Sequence, residues 1–266
     1  MKSHILNLLP KGHPWAEHIN YYPSAGSTND LAKALAQQGA PQGTVCIAGS
    51  QTQGKGRMGR YFHSPDGKGL YFSLILRPNC PAQELMHLTC AVAVAACDAV
   101  EALCQRRPGI KWINDLVANG RKLGGILTEL SLQPGTNMVN YAIVGIGINC
   151  LQEASDFPEQ LQDMATSIRA AYGMAVSPAQ LAAQLVLSLH NIADQLLCQK
   201  TAIMERYKKD CMTIDKQIRI VRAEEETFAT ALDIDLDGGL IARLDNGQTV
   251  TVSSGEVSVR GMYGYL

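Results

Sequence analysis

No CxxC pair occurs in this chain, and none of its eight cysteines is spaced with histidine as a metal finger requires. Spacing therefore offers no zinc ribbon and no dithiol redox motif. The thiols are expected to be reduced, in a cytoplasmic protein. An excess of charge of either sign is also missing. The formal net charge is -1 over 266 residues, which argues against a general nucleic-acid binder. The longest apolar runs, around Ala91–Cys97 and Tyr141–Cys150, are too short to cross a bilayer, so no membrane association is expected. The opening Met1-Lys2-Ser3-His4-Ile5-Leu6 lacks an apolar core and a small-residue cleavage site. Internal repeats and low-complexity segments are absent. Finally, no acidic residue stands between Lys33 and Pro65.

That last gap holds the most informative stretch, Ser50-Gln51-Thr52-Gln53-Gly54-Lys55-Gly56-Arg57-Met58-Gly59-Arg60-Tyr61. Glycines let a backbone approach a ligand closely. Lys55, Arg57 and Arg60 offer donors that match phosphate oxygens. A polyanion such as a nucleoside triphosphate suits this loop; a ligand-free basic surface loop is the other reading of the same letters. Three familiar phosphate motifs fail here. The P-loop pattern ends on Gly56, where a Ser or Thr hydroxyl is needed for magnesium. The GxGxxG letters are followed by a turn, Ser64-Pro65-Asp66-Gly67, and not by the helix that a dinucleotide fold requires. No HRD or DFG tripeptide supports a kinase.

Along the chain, Ser27-Thr28-Asn29-Asp30 opens a helix, with Ser27 and Asp30 spaced as a capping box and Gly39 as the stop. Its exposed N–H groups and short polar side chains either cap the helix or meet a small polar ligand. Thr44–Ser50 reads as a strand leading to the basic loop, and Leu70–Leu76 as a strand buried on both faces. A helix opens at Pro81 and places Cys90, Cys97 and Cys104 on one face. Ile110–Val117 reads as one strand entering a hairpin at Asn119-Gly120, with Lys122–Leu130 returning. Lys111, Asn114, Asp115 and Lys122 stand among apolar neighbours, where polar groups are paired or functional. An internal Asp115–lysine ion pair of no catalytic meaning remains an alternative. Tyr141–Asn149 carries Gly145 and Gly147 at alternate positions, which leaves one strand face without side chains. Hairpin-joined strands with helices set apart predict an α+β fold around a mostly antiparallel, mixed sheet. Ser177-Pro178 starts a long helix. Beyond Cys211 the pattern changes to short strands, the last at Glu256–Arg260, with the cadence of a small barrel. Residues 1–211 are thus expected to form one domain and residues 212–266 a second.

Taken together, these motifs resemble the biotin protein ligases (biotin–[acetyl-CoA-carboxylase] ligases). The carrying residues are Ser27-Thr28-Asn29, Gln51 with Gly54–Arg60, Lys111–Asp115, Lys122–Leu127 and Gly145–Asn149, in the family's order. Lys55 stands where the family usually has arginine, and Ile113 where it usually has proline. The resemblance implies a biotin/lipoate ligase-like catalytic domain followed by an SH3-like barrel. It implies ATP, biotin and Mg²⁺ as substrates and cofactor, and formation of biotinyl-5′-adenylate. The acyl group would then pass to a lysine on the biotin carboxyl carrier protein of acetyl-CoA carboxylase or a related carboxylase. By that resemblance Ser27, Thr28, Asn29, Gln51, Lys55, Gly56, Arg57, Lys122 and Gly125 would face biotin. Lys55, Arg57, Arg60, Lys111, Asn114, Asp115 and Asn149 would lie toward ATP. Arg57, Lys122 and Asp115 would carry the chemistry, and the strand glycines would make room for the bicyclic ring. The motif begins at Ser27, which leaves little chain for the helix-turn-helix of the repressor members. A ligase without direct DNA binding, monomeric or homodimeric, is the expectation. Rival readings are a lipoate or octanoate ligase on a related fold, and a non-catalytic biotin or nucleotide sensor.

Overall fold

The computed structural model describes residues 1–222, 225–253 and 257–261, the last stretch by its backbone alone. In chain order, helix α1 (Lys2–Leu8), strand β1 (Ile19–Ala25), helix α2 (Thr28–Gln37), β2 (Val45–Gln51), β3 (Gly69–Leu76) and helix α3 (Leu88–Cys104) come first. Strands β4 (Gly109–Lys111), β5 (Asp115–Ala118), β6 (Arg121–Leu132) and β7 (Val139–Asn149) follow. Four helices come next: α4 (Glu159–Gln162), α5 (Ile168–Tyr172), α6 (Pro178–Gln195) and α7 (Lys200–Asp210). The chain then runs through β8 (Gln217–Arg222), β9 (Glu225–Ile234), β10 (Leu240–Leu244), β11 (Thr249–Val252) and β12 (Val257–Gly261).

The first seven strands form one sheet in the order β1-β2-β3-β7-β6-β5-β4. Only its β1–β2 pair is parallel, as the α+β expectation requires. Side chains alternate between sheet faces. Leu70, Phe72 and Leu74 of β3, with Val144 and Ile146 of β7, belong to the large core that includes α3 and α6. Ile75 and Ile143 point the other way and pack under Ala32 and Ala36 of α2. That second face carries the site. Across it run two rows of paired residues, Ser73–Gly145–Leu127 and Tyr71–Gly147–Gly125.

Among the described residues, β8–β12 make a separate antiparallel sheet in the order β11-β10-β9-β8-β12. It is fastened to the first. Trp112 Nε1 donates to the Gly238 carbonyl at 2.9 Å, and the Trp112 backbone N–H donates to Thr213 Oγ1 at 2.9 Å. Gly238 has φ +86°, and a Cβ there would lie 2.9 Å from Cys90 Sγ of α3. Glu256, at the head of the last expected strand, lies outside the described residues, as do residues 262–266 of the expected barrel.

Three local expectations change. The stretch Ile110–Val117 is two strands, because the chain reverses at Trp112-Ile113-Asn114 and pairs Lys111 with Asp115. No glycine or proline marks that turn. Partners elsewhere hold it: Tyr207 donates its hydroxyl proton to the Ile113 carbonyl at 3.2 Å, and the Ile126 N–H donates to the Asn114 carbonyl at 2.9 Å. The helix expected from Pro81 starts as a 3-10 turn, Ala82–Leu85, and becomes α-helical at Leu88. Ser27 is the N-cap residue of α2 but makes no side-chain cap. Instead Gln51 Oε1 accepts the Thr28 N–H at 2.8 Å, and Asp30 turns to Lys55. The Ala82–Cys104 stretch of 23 residues, which contains the Ala91–Cys97 run, is by length and composition alone apolar enough for a membrane span. It is a core helix, with 72% of its most apolar stretch buried. The Asn119-Gly120 hairpin behaves as expected, with φ values of 49° and 74°.

Candidate functional site

The loop after β2 folds back on itself. Gly56 N donates to the Arg60 carbonyl at 2.7 Å, and Phe62 N donates to the Gly54 carbonyl at 2.9 Å. A Cβ at Gly54 would stand 2.3 Å from the Phe62 carbonyl, so this crossing needs glycine. The loop thereby hangs over the α2 face of the sheet and closes a cavity of about 870 Å³. Every residue that the resemblance assigned to biotin, to ATP or to the chemistry lines it. Ser27, Thr28, Asn29 and Gln51 come from the α2 end; Lys55, Gly56, Arg57 and Arg60 come from the loop. Lys111, Asp115, Lys122, Gly125 and Asn149 come from the strands, and Asn114 from the turn between β4 and β5.

The cations are not bare. Lys55 Nζ meets Asp30 Oδ1 at 2.5 Å, an ion pair that sequence separation hides. Arg57 Nη1 donates to Asn114 Oδ1 at 3.1 Å, while Asn114 Nδ2 donates to the Ile126 carbonyl at 3.0 Å. Burial works against the charged form of the Arg57 guanidinium and lowers its pKa, and the nearby Asp115 carboxylate opposes that shift. Lys122 Nζ donates to Asp115 Oδ1 at 2.6 Å. Gly125 lies beside this pair; a Cβ there would make ordinary contact, 3.4 Å from Lys122 Cε and 3.5 Å from Asp115 Oδ1. Lys122 keeps its side chain about one-third exposed, at 32%.

The α2 end is a network of polar groups. Asn29 Nδ2 donates to Glu129 Oε2 at 2.8 Å. Ser73 Oγ lies 2.6 Å from Asn29 Oδ1 and 2.8 Å from Thr28 Oγ1. Thr28 Oγ1 is 3.1 Å from Gln51 Oε1, and Gln51 Nε2 donates to Ser64 Oγ at 3.0 Å. The glycines of β7 serve this network first. A Cβ on Gly145 would stand 2.1 Å from Asn29 Oδ1, and one on Gly147 would stand 2.6 Å from the Phe62 ring. So protein side chains occupy the space they vacate, where the sequence reading assigned it to a ligand ring. Asn149 likewise spends its amide on the protein. It donates to the Thr166 carbonyl at 2.9 Å and accepts from Gln152 Nε2 at 3.0 Å.

Comparison with known proteins bears on what such a cavity serves. Residues 21–149 match the Biotin/lipoate A/B protein ligase family, and residues 213–260 match the Biotin protein ligase C terminal domain. The biotin--[acetyl-CoA-carboxylase] ligase of Mycobacterium tuberculosis is 31% identical over 256 residues, covering 94% of this chain and 91% of that one. This chain belongs to the biotin protein ligase family. The bifunctional ligase/repressor BirA of Bacillus subtilis is 36% identical over 232 residues, 87% of this chain and 71% of that protein. Among solved structures, the biotin protein ligase of Aquifex aeolicus, in complex with biotin and ATP, shares the fold. Its TM-score is 0.77 at 24% identity, with 92% of this chain and 99% of that chain covered.

Several cavity residues of this biotin protein ligase family member carry no motif. Phe157, Leu161, Asp163, Met164 and Ala165 form one wall. They hang on Lys122, whose N–H donates to the Met164 carbonyl at 2.7 Å and whose carbonyl accepts the Thr166 N–H at 2.8 Å. Nothing periodic announces that wall. Arg219 reaches the cavity from β8 of the second sheet. Ser73 and Glu129 did leave a signal, each a polar residue within an apolar strand.

Proposed function

We infer that this chain condenses biotin with ATP to give biotinyl-5′-adenylate and diphosphate, then passes the biotinyl group to a lysine of a biotin carboxyl carrier protein. The observation that carries this reading is that the glycine-spaced cations, the Lys122–Asp115 pair and the N-terminus of α2 share one cavity. In the first step a biotin carboxylate oxygen bonds to the α-phosphorus and the bond to the β-phosphate oxygen breaks. Two anions must approach, so cations between them lower the barrier. We assign that role to Arg57 and Lys122, with Lys55, Arg60 and Lys111 toward the phosphates. Ser27, Thr28, Asn29, Gln51, Gly56 and Gly125 border the biotin end; Asn114 and Asn149 shape the nucleotide end. In the second step the lysine ε-amine attacks the mixed anhydride and AMP leaves. Asp115 is placed to hold the attacking amine or the metal-bound phosphates.

Magnesium enters with ATP, as part of the substrate. Asp115 and Asp163 are carboxylates at the cavity wall. One or two carboxylates with phosphate oxygens and water are the usual Mg²⁺ setting. We divide the chain after Cys211, with residues 1–211 carrying the chemistry and residues 212–266 buttressing the Trp112 turn. Eight free cysteines, only Cys198 of them exposed, support a reducing, cytoplasmic location.

ATP–diphosphate exchange measured with biotin and with lipoate side by side tests the reading. Biotin alone should drive exchange, and a carrier lysine should then be labelled. Exchange driven by lipoate would favour the lipoyl ligase. Tight biotin binding with neither exchange nor labelling would favour a sensor.

A further inference from the structure

A lysine side chain is a cation at neutral pH, and the cavity it must enter is itself cationic. Lys55, Arg57, Arg60, Lys111, Lys122 and Arg219 all line it. Among the described lining residues only two carboxylates offset them, those of Asp115 and Asp163. Like charges repel an incoming ammonium. Asp115 is already engaged, since Lys122 Nζ donates to its Oδ1 at 2.6 Å. Asp163 is not: among the described residues its exposed side chain has neither a hydrogen bond nor an ion pair.

Backbone bonds place Asp163 beside the reacting end of the site. The carbonyl of its neighbour Met164 accepts the Lys122 N–H at 2.7 Å, and the Thr166 N–H donates to the Lys122 carbonyl at 2.8 Å. Lys122 and Ala165 thus form a parallel bridge, which lays this segment along the start of β6. The surface so placed has two parts. Met164 is 43% exposed and Leu161 is half-buried, an apolar strip on the cavity wall, and Asp163 sets a negative charge next to Met164 in the chain. A lysine side chain has two matching parts, an apolar stem and a cationic head.

We propose that Asp163 is the docking residue for the carrier lysine: its carboxylate draws the ε-ammonium to the cavity while Met164 and Leu161 cover the methylene stem. This rests on the biotin reading above. It also divides the two acids between the two steps. One carboxylate suffices for a Mg²⁺ ion held mainly by phosphate oxygens and water, and Asp115 supplies it. Once past Asp163 the amine lies among cations, which favour loss of a proton and free the nitrogen lone pair. That lone pair bonds to the acyl carbon, the bond from this carbon to the phosphate oxygen breaks, and AMP leaves with the electron pair. The two protons that the nitrogen sheds pass to solvent.

The test uses the full-length protein with biotin, ATP and an unbiotinylated biotin carboxyl carrier protein. Asp163→Asn should raise KM for the carrier about tenfold, the value of a hydrogen bond to a charged group, with biotin-driven ATP–diphosphate exchange within about twofold of the parent. Asp163→Glu keeps the charge and should recover most of that loss. Hydroxylamine, a small nucleophile that is uncharged at neutral pH, should trap the biotinyl group from the parent and from Asp163→Asn at equal rates. An unchanged KM for the carrier overturns the proposal, and so does a loss that Asp163→Glu shares in full. A parallel loss of exchange overturns it by placing Asp163 with ATP and its Mg²⁺. A parallel loss toward hydroxylamine overturns it by placing Asp163 in the acyl transfer itself. A parent that shows no biotin-driven exchange overturns the biotin reading, and the proposal with it.

Discussion

Arg57 Nη1 donates to Asn114 Oδ1 across 3.1 Å, joining two residues 57 positions apart in sequence. One belongs to the glycine-rich loop and the other to the turn between β4 and β5. Asn114 is itself held by the Ile126 carbonyl at 3.0 Å, so the guanidinium is aimed by a fixed amide. Asn114→Ala should lower the exchange rate about tenfold, since a misaimed cation stabilises the transition state less. Stability should drop by only about 1 kcal/mol, the usual worth of such hydrogen bonds. Steady-state exchange kinetics beside thermal melting checks both.

Arg57 is also expected to retain the adenylate once it is made. It lies against the cavity that would hold the phosphate, and burial strengthens its attraction for an anion. Arg57→Gly should let activated biotin escape and acylate unrelated lysines. Mass spectrometry of a bystander protein incubated with variant, biotin and ATP reads this. Labelling that remains confined to the carrier contradicts it.

Gly145 lies on the cavity face of β7, and the neighbouring Val144 lies on the core face. Gly145→Ala places a Cβ 2.1 Å from Asn29 Oδ1, so Asn29 must leave its seat. The expected cost is about 1–3 kcal/mol of stability from overpacking, together with weaker biotin binding. Val144→Ala should cost stability by cavity formation but leave KM for biotin unchanged. Equal effects of the two on KM would mean that the face assignment does not matter.

The thiols give a quick test of the packing. Burial pushes Cys46 and Cys150 up to about 12 and raises Cys90, Cys97, Cys104 and Cys211 as well. A raised thiol pKa means almost no thiolate at pH 8, and thiolate is the reactive form. Only the exposed Cys198 should react promptly with a thiol reagent in the native protein, against all eight after denaturation. Prompt loss of several thiols in the native state would mean that the core around α3 is open.

The sequence was legible where chemistry forces a local pattern. Glycines spaced between cations, a polar cluster inside an apolar strand and an Asn-Gly turn each mark a place with few physical alternatives. The strands β3 and β7, buried on both faces, were readable for the same reason. What could not be read depends on partners far along the chain. The turn at Trp112-Ile113-Asn114 has no turn residue and relies on Thr213, Tyr207 and Ile126. Asp30 looked like half of a capping box because Lys55, its partner, stands 25 residues away. Gly145 and Gly147 announced a bare strand face, but only the fold reveals that Asn29 and Phe62 fill it. The wall from Phe157 to Ala165 is held through backbone bonds to Lys122, and backbone bonds of that kind impose no residue type.

The account rests on Arg57, Lys122 and Asn29 bordering one substrate space. Equilibrium binding of a non-hydrolysable biotinyl-5′-adenylate analogue to the parent and to Arg57→Ala, Lys122→Ala and Asn29→Ala tests this most directly. Each substitution should weaken binding by about tenfold or more, the loss expected for one charged or buried hydrogen bond. Parental affinity in all three folded variants would contradict it.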